Sequence, residues 1–383
     1  MARNEGGRWV GTWTTTLAPI EGIALENQTI RMIARVSIGG CRLRVRLSNA
    51  YGTRKLSIGA ARVALRAEGA GIVPDSDRRL TFNGEPSTTI AAGSLVVSDP
   101  MDLELAPLSD LVVSVHLSGS VPQDFQLTGH GNARQTNYVS PPGDHTASLV
   151  MPVQRSIGDW LFVSGVEVLA PANTGGIVAF GDSLTECNIS TVDANRRWPD
   201  QLARRIVARG GRMLGVMNQG IGGARLLHDI RGESGLRRFD RDVLAQTGVT
   251  HVIVLIGIND IRNRWQKPDE FVSAEEIISG LNQLAVRSHA RGLKIFGGTV
   301  LTFEYETFNP GFYTPEGEEK RQKVNAWIRG SGAFDAIIDF ETALREPGHP
   351  TRMLPAYDCG DHLHPSDAGY LRMGDIIDLS LFD

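Results

Sequence analysis

The seven residues Val178-Ala179-Phe180-Gly181-Asp182-Ser183-Leu184 constrain this chain more than any other stretch. Val178, Ala179 and Phe180 form an unbroken apolar run, which predicts a buried strand of a parallel sheet. The run stops at Gly181, and polar, helix-type sequence follows Ser183. This predicts a strand-to-helix turn at the carboxyl edge of the sheet, where α/β proteins keep their ligands. A serine there is easily activated if a base reaches it.

The rest of the second half repeats the rhythm. Ile177 to Phe180, Met213 to Met217, His251 to Ile256, Lys294 to Leu301 and Ala336 to Phe340 read as buried strands, with helical stretches between several of them. The clearest helix starts at Ser273, where Glu276 completes a capping box, and Gly292 stops it. An amphipathic helix is also predicted around Trp198, Leu202, Ile206 and Val207. Strands joined by crossover helices imply a three-layer α/β/α sandwich.

The first half is different. Thr29 to Val36, Arg42 to Leu47, Ser57 to Leu65, Ser94 to Ser98, Leu111 to Leu117 and Trp160 to Val168 are short β-type runs. In the second, Leu43, Val45 and Leu47 alternate with arginines, the period of a strand with one wet face. Ser48-Asn49-Ala50-Tyr51-Gly52 reads as a turn. Many short strands between glycine, proline and asparagine predict an antiparallel β-sandwich, jelly-roll-like. The breaker-rich Ala170 to Gly176 separates the halves, so residues 1–173 are expected to form an accessory β-sandwich and residues 174–383 an α/β catalytic domain. At 383 residues, two cores are the natural expectation.

A formal charge of −4 gives no reason to expect nucleic acid or an anionic membrane as partner. No apolar stretch approaches the ~20 residues of a membrane span. The opening nine residues, Met1 to Trp9, lack the apolar centre of a secretory signal. The sequence as it stands therefore reads as cytoplasmic; a removed leader would make the protein secreted or periplasmic. Three cysteines, Cys41, Cys187 and Cys359, make no disulfide framework, although Cys187 and Cys359 flank the motifs below and would lie near one another if those motifs meet. Oligomeric state is not legible.

Four blocks carry candidate chemistry: Gly181-Asp182-Ser183-Leu184, Asn218-Gln219-Gly220-Ile221-Gly222-Gly223, Gly257-Ile258-Asn259-Asp260 and Asp361-His362-Leu363-His364-Pro365. The first three follow predicted strands, so a parallel sheet brings them to one edge. Ser183 needs a general base, and His364 suits that role near neutral pH. Asp361, three residues earlier, is placed to hold the other ring nitrogen. The N–H of Ser183, the N–H of Gly223 and the side-chain amide of Asn259 offer three donors for an oxyanion.

These blocks resemble those of the GDSL, or SGNH, hydrolases, a family of serine esterases and lipases. Ser183 matches the nucleophile of the first block, Gly223 the glycine of the second and Asn259 the asparagine of the third. Asp361 and His364 match the last block's D-x-x-H. The resemblance spans Ile177 to the C-terminus and implies a flavodoxin-like fold, a small-molecule or carbohydrate ester as substrate, and no cofactor. The first half resembles the β-rich extension of some bacterial members. Cys187 departs from the family, where many members have glycine, and is expected to narrow or chemically sensitise the site entrance.

Each feature also has a plainer reading. Gly181-Asp182-Ser183 could be an ordinary helix cap. Asn259 could be one too, but Asp260 suits capping better and leaves Asn259 for substrate. Gly220 to Gly223 lacks Rossmann spacing, and no P-loop occurs. Asp361-His362-Leu363-His364 resembles a metal cluster, yet spacing shows no third ligand, so no metal is expected. His362 reads as solvent-facing or structural, and His228, His251, His289 and His349 as structural. Arg196, Arg197, Arg225 and Arg231 read as surface residues. The aromatic segment Thr302 to Tyr313 is either a packed lid or the wall of a substrate pocket.

A serine esterase acting on short-chain acyl esters is therefore the expected function. A carbohydrate acetylesterase or an acyltransferase would use the same triad. A carbohydrate-binding protein with an inactive hydrolase half is the non-enzymatic rival.

Overall fold

The structure is a computed structural model that describes residues 6–121, 125–262, 267–307 and 311–383. The chain divides into two compact units, Met1–Thr174 and Gly175–Asp383.

The first unit is built of antiparallel sheets, the architecture of a β-sandwich. One sheet orders Arg8–Thr14, Val163–Ala170, Gly40–Ser48 and Met101–Leu105, with Leu95–Val97 also on Gly40–Ser48. The larger sheet orders Arg155–Ile157, Asn137–Pro142, Gln28–Arg35, Asp110–Leu117, Leu56–Leu65 and Arg78–Arg79, with Thr88–Ile90 on Leu56–Leu65. The alternation in Gly40–Ser48 works as its period demands: Leu43, Val45 and Leu47 are buried. Arg44 and Arg46 leave on the other face and meet Glu167 of the neighbouring strand at 2.6 and 3.6 Å. Asn49 closes the following turn, its carbonyl accepting the Gly52 N–H at 3.0 Å.

In the second unit we label the strands β1 (Gly175–Gly181), β2 (Leu214–Gly220), β3 (Val249–Leu255), β4 (Lys294–Gly298) and β5 (Ala336–Ile338). All neighbours are parallel, in the order β2-β1-β3-β4-β5. That is the flavodoxin-like order, with its switch point beside β1. The helices are α1 (Ser183–Glu186), α2 (Trp198–Arg209), α3 (Gly235–Phe239), α4 (Ile258–Ile261), α5 (Ala274–His289), α6 (Pro315–Gly330), α7 (Phe340–Leu344) and α8 (Asp367–Asp375). Ser273 caps α5, with the reciprocal Glu276 bond present, and Gly292 follows in the left-handed region at φ 68°. Among the described residues no helix is long and apolar enough to cross a membrane.

The bounds of several strands differ from expectation. β2 runs on through Asn218, Gln219 and Gly220, because those residues keep pairing with Ala179, Phe180 and Gly181. β4 ends at Gly298 rather than Leu301, and β5 at Ile338, where Asp339 turns to cap α7 by accepting the Thr342 N–H. His251 is buried against Phe296 and Phe382 (ring centroids 5.9 and 5.3 Å), and burial pushes its pKa down to about 4.

Candidate active site

The register brings the blocks together. Gly181 of β1 lies opposite Gly220 of β2 and Leu255 of β3, so the three segments that follow leave the sheet side by side. Asp182 caps α1, its Oδ1 accepting the Leu184 N–H at 3.0 Å, and Ser183 is the first helical residue. Gly220 is required by packing: a Cβ there would meet Glu186 N at 2.1 Å. Asn218 fastens the same contact, its amide donating to Thr185 O at 2.8 Å.

The fourth block reaches the site as a self-closed turn. The Asp361 carboxylate accepts the N–H groups of Leu363 and His364 through Oδ1 (2.9 and 2.7 Å), and Cys359 N–H donates to His364 O at 3.1 Å. Ser366 then caps α8. Side-chain and backbone bonds from Gln201 and Arg205 of α2 anchor the far end of α8, at Gly374, Asp375 and Ile377. The His364 ring ends up with Nδ1 at 2.7 Å from Asp361 Oδ2 and Nε2 at 2.8 Å from Ser183 Oγ. A proton on Nδ1 facing the carboxylate leaves Nε2 as acceptor for the serine hydroxyl. Burial pushes the Asp361 carboxyl up, but the bonds from the His364 ring and the two backbone N–H groups outweigh it and hold the pKa at about 2. Ser183 and His364 are both buried.

Gly223 sits at φ 77°, a conformation glycine adopts without strain. The N–H groups of Ser183 and Gly223 have no acceptor among the described residues. Asn259, fully buried on α4, donates from Nδ2 to Ala224 O at 3.0 Å, which draws the second and third blocks together. Asp260 is not the helix cap; Gly257 occupies that position. The Asp260 carboxylate instead accepts the N–H groups of Leu226 and Leu227 (2.7 and 3.1 Å), because the loop after Gly223 brings those donors to it.

Sequence reasoning missed a ring of buried charge around this edge. Arg238, fully buried, donates to Gln219 O (2.9 Å) and Gly181 O (2.7 Å), clamps the ends of β2 and β1, and pairs with Asp242 at 3.0 Å. Asp182 is buried, with Oδ2 lacking a hydrogen bond among the described residues. Burial raises its pKa to about 7, the Leu184 N–H opposing and the nearby Asp260 adding to the rise. Burial likewise raises Asp260 to about 6. Arg225 and Arg197 are buried rather than on the surface: Arg225 binds Glu270 at 2.7 Å and lies 3.7 Å from Asp260, and Arg197 binds Asp200 at 3.0 Å. Nothing local in the sequence distinguishes these arginines from exposed ones.

All three cysteines are free. Cys187 turns inward, its thiol near the carbonyls of Leu184 and Thr185, so it does not pair with Cys359. Its backbone is left-handed (φ 64°, ψ 54°) at the end of α1, a position that favours glycine. Burial pushes the thiol well above its usual pKa, so it is not the sensitised group expected at the entrance. Asp358, Cys359 and Asp361 bring potential ligand atoms within 4.8 Å of one another. Both carboxylates already accept hydrogen bonds, Asp358 from His362 at 2.6 Å and Asp361 from His364. His362 is half-exposed. In the aromatic segment Phe303 and Phe312 are buried, and Phe303 stacks edge-on against Tyr313 at 5.1 Å; Phe308 lies outside the described residues. Phe312 also lines a groove of about 370 Å³ with Ile261, Phe271 and Val272, beside the helix that carries Asn259.

The profile of the GDSL-like lipase/acylhydrolase family matches residues 179–372, just over half of the chain. No curated protein matches. Among solved structures, a lipolytic protein of the G-D-S-L family from Desulfitobacterium hafniense is similar at 20% identity, over 52% of this chain and 96% of its own, with a TM-score of 0.40. The lipase/acylhydrolase from Enterococcus faecalis is similar at 22% identity over 53% and 92%, with a TM-score of 0.41. An acetyl xylan esterase variant from Geobacillus stearothermophilus gives 20% over 52% and 91%, with a TM-score of 0.39. On the profile match, which takes in all four blocks, the chain belongs to the GDSL-like lipase/acylhydrolase family.

Proposed function

We propose that the protein is a serine esterase that hydrolyses short-chain carboxylic esters through Ser183, His364 and Asp361. The observation that carries this reading is the continuous hydrogen-bonded line from Asp361 Oδ2 through the His364 ring to Ser183 Oγ, 2.7 and 2.8 Å at its two links. Both lie within the reach that proton transfer needs.

In this reading Ser183 Oγ attacks the ester carbonyl as His364 Nε2 takes the hydroxyl proton. Asp361, ionised over the whole neutral range, stabilises the imidazolium and keeps the ring in register. The oxyanion is received by the N–H groups of Ser183 and Gly223 and the amide of Asn259. His364 returns its proton to the departing alkoxide, the C–O bond breaks, and an acyl-enzyme remains. Water then gives its proton to His364 and attacks the acyl carbon. Collapse releases the acid and restores the Ser183 hydroxyl. In this reading the chain's own side chains, two backbone N–H groups and water carry every step, and no cofactor enters. Residues 1–173 contribute none of these groups and are an accessory unit in this reading.

Ser183→Ala tests it. Turnover of p-nitrophenyl acetate is expected to fall by at least about 10³-fold, with thermal melting unchanged. A Ser183→Ala protein that hydrolyses at the wild-type rate would overturn the assignment. Running acyl esters of increasing length beside acetylated sugars in the same assay ranks the substrate classes.

A further inference from the structure

Next to the proposed oxyanion donor lies a buried ion pair that the reaction above does not use. Arg262 closes α4 three residues after Asn259, on the same helical face. One guanidinium nitrogen donates to Asn259 Oδ1 at 3.3 Å; another donates to Glu306. Both side chains are sealed from solvent, at 1% and 0% exposure, and the guanidinium lies over the Phe312 ring, 5.3 Å from its centroid. Glu306 belongs to the segment after β4. The next residue, Thr307, donates its N–H to the backbone carbonyl of Asp361 at 3.1 Å. One chain of contacts therefore runs from the Asn259 amide, through Arg262 and Glu306, to the backbone of Asp361.

Burying two charges is expensive, and an apolar pair of similar volume would usually pack at least as well. A hydrogen-bonded charge pair does supply direction. The Asn259 amide has two unlike ends, an acceptor and a donor. With Oδ1 committed to Arg262, the Nδ2 end faces Ala224 and the second block. A flipped amide would set its oxygen against the Ala224 carbonyl and present an acceptor where an oxyanion needs a donor.

We propose that the Arg262–Glu306 pair is a positioning device of the active site: it fixes the Asn259 amide with its N–H groups toward the oxyanion and couples that orientation to the loop that holds Asp361. This inference rests on the esterase reading above. In this proposal both residues act on the reaction through Asn259.

A double-mutant cycle tests it. Kinetic constants for p-nitrophenyl acetate are measured for wild type, Arg262→Met, Asn259→Ala and the double variant, with Ser183→Ala alongside. Small misplacements of catalytic groups can cost up to about 10²-fold. Arg262→Met is therefore expected to lower kcat about tenfold to a hundredfold with KM within about twofold, the signature of a lost transition-state interaction. In the Asn259→Ala background the same substitution should change kcat by less than about threefold, because the group it orients is gone. Equal losses in the two backgrounds, or no loss from Arg262→Met, would overturn the proposal. If Arg262→Met does not melt cooperatively, Arg262→Lys replaces it under the same criteria, since lysine keeps the charge beside Glu306 but not the planar fork that reaches Asn259 as well. An active Ser183→Ala sinks the esterase reading itself; an inactive one with additive cycle losses sinks this inference alone.

Discussion

Each unit of the molecule buries arginine, and the two do so in different ways. In the β-unit, Arg31 is fully buried and meets mostly backbone. It donates to the carbonyls of Ala70, Thr146 (3.2 Å) and Ser148 (3.0 Å), and to Ser114 Oγ at 2.9 Å. Burial draws its pKa down to about 10, with Asp77 opposing. In the α/β unit, Arg238 and Arg262 each face a buried carboxylate and stand at strand ends or helix ends beside the blocks. The first arrangement staples loops to a strand. The second supplies orientation at an edge where the backbone changes from strand to helix. Arg31 should therefore matter for stability and the edge charges for rate.

Three experiments break or sharpen that contrast. The largest effect is expected from Asn259→Ala. Loss of one oxyanion donor costs about 10²–10³ in kcat, and steady-state kinetics should show it with the fold intact by circular dichroism. A loss below tenfold would remove Asn259 from the oxyanion site. Next is Arg31→Met, which strands several buried carbonyls, each worth about 1–3 kcal/mol when unsatisfied. The urea midpoint of the β-unit should drop clearly while kcat per folded molecule stays within about twofold. Matching losses of stability and kcat would erase the distinction drawn between the units.

The smallest effect is a slope. Asp182 and Asp260 have folded pKa values raised to about 7 and about 6, against roughly 3.9 when unfolded. Between those limits the folded state binds more protons, so their contribution weakens as pH rises from about 4 to about 7. Asp361 works in the opposite direction and at lower pH. Its folded value of about 2 adds stability that is complete above about 4 and is lost as pH falls through 2. Asp182→Asn keeps an acceptor for the Leu184 N–H and removes one titration. Its urea midpoint should gain on wild type between pH 5 and pH 8. A gap that does not change with pH would mean that Asp182 ionises normally.

Most of the sheet was legible because its signals are local. The apolar run before Ser183 and the alternation of Leu43, Val45 and Leu47 are patterns that a few consecutive residues carry. The cap at Ser273 is equally local. The candidate site was legible residue by residue because Ser183, Gly223, Asn259, Asp361 and His364 sit in short motifs at the ends of such elements. Strand lengths were read less well, since β2 continues through Gly220 only because β1 is there to pair with it. Asp260 was misread as a helix cap because the N–H groups it serves, on Leu226 and Leu227, are more than thirty positions away. Arg225 was misread as a surface residue for the same kind of reason, its partner Glu270 lying 45 positions away; Arg197 was misread too, although its partner Asp200 is only three positions on.

What the chain's order of residues determined alone is which elements form and which chemical groups stand at their ends: periodicity and capping act over one or two turns. Which charges go inside was decided only by the tertiary structure. Burial of an arginine is tolerable only when a carboxylate or a set of carbonyls meets it, and for Arg31, Arg225 and Arg262 those partners come from other elements. Glu306 lies 44 residues from Arg262, and Ser183 lies 181 from His364. An interaction energy that depends on distance in space cannot be read from distance along the chain.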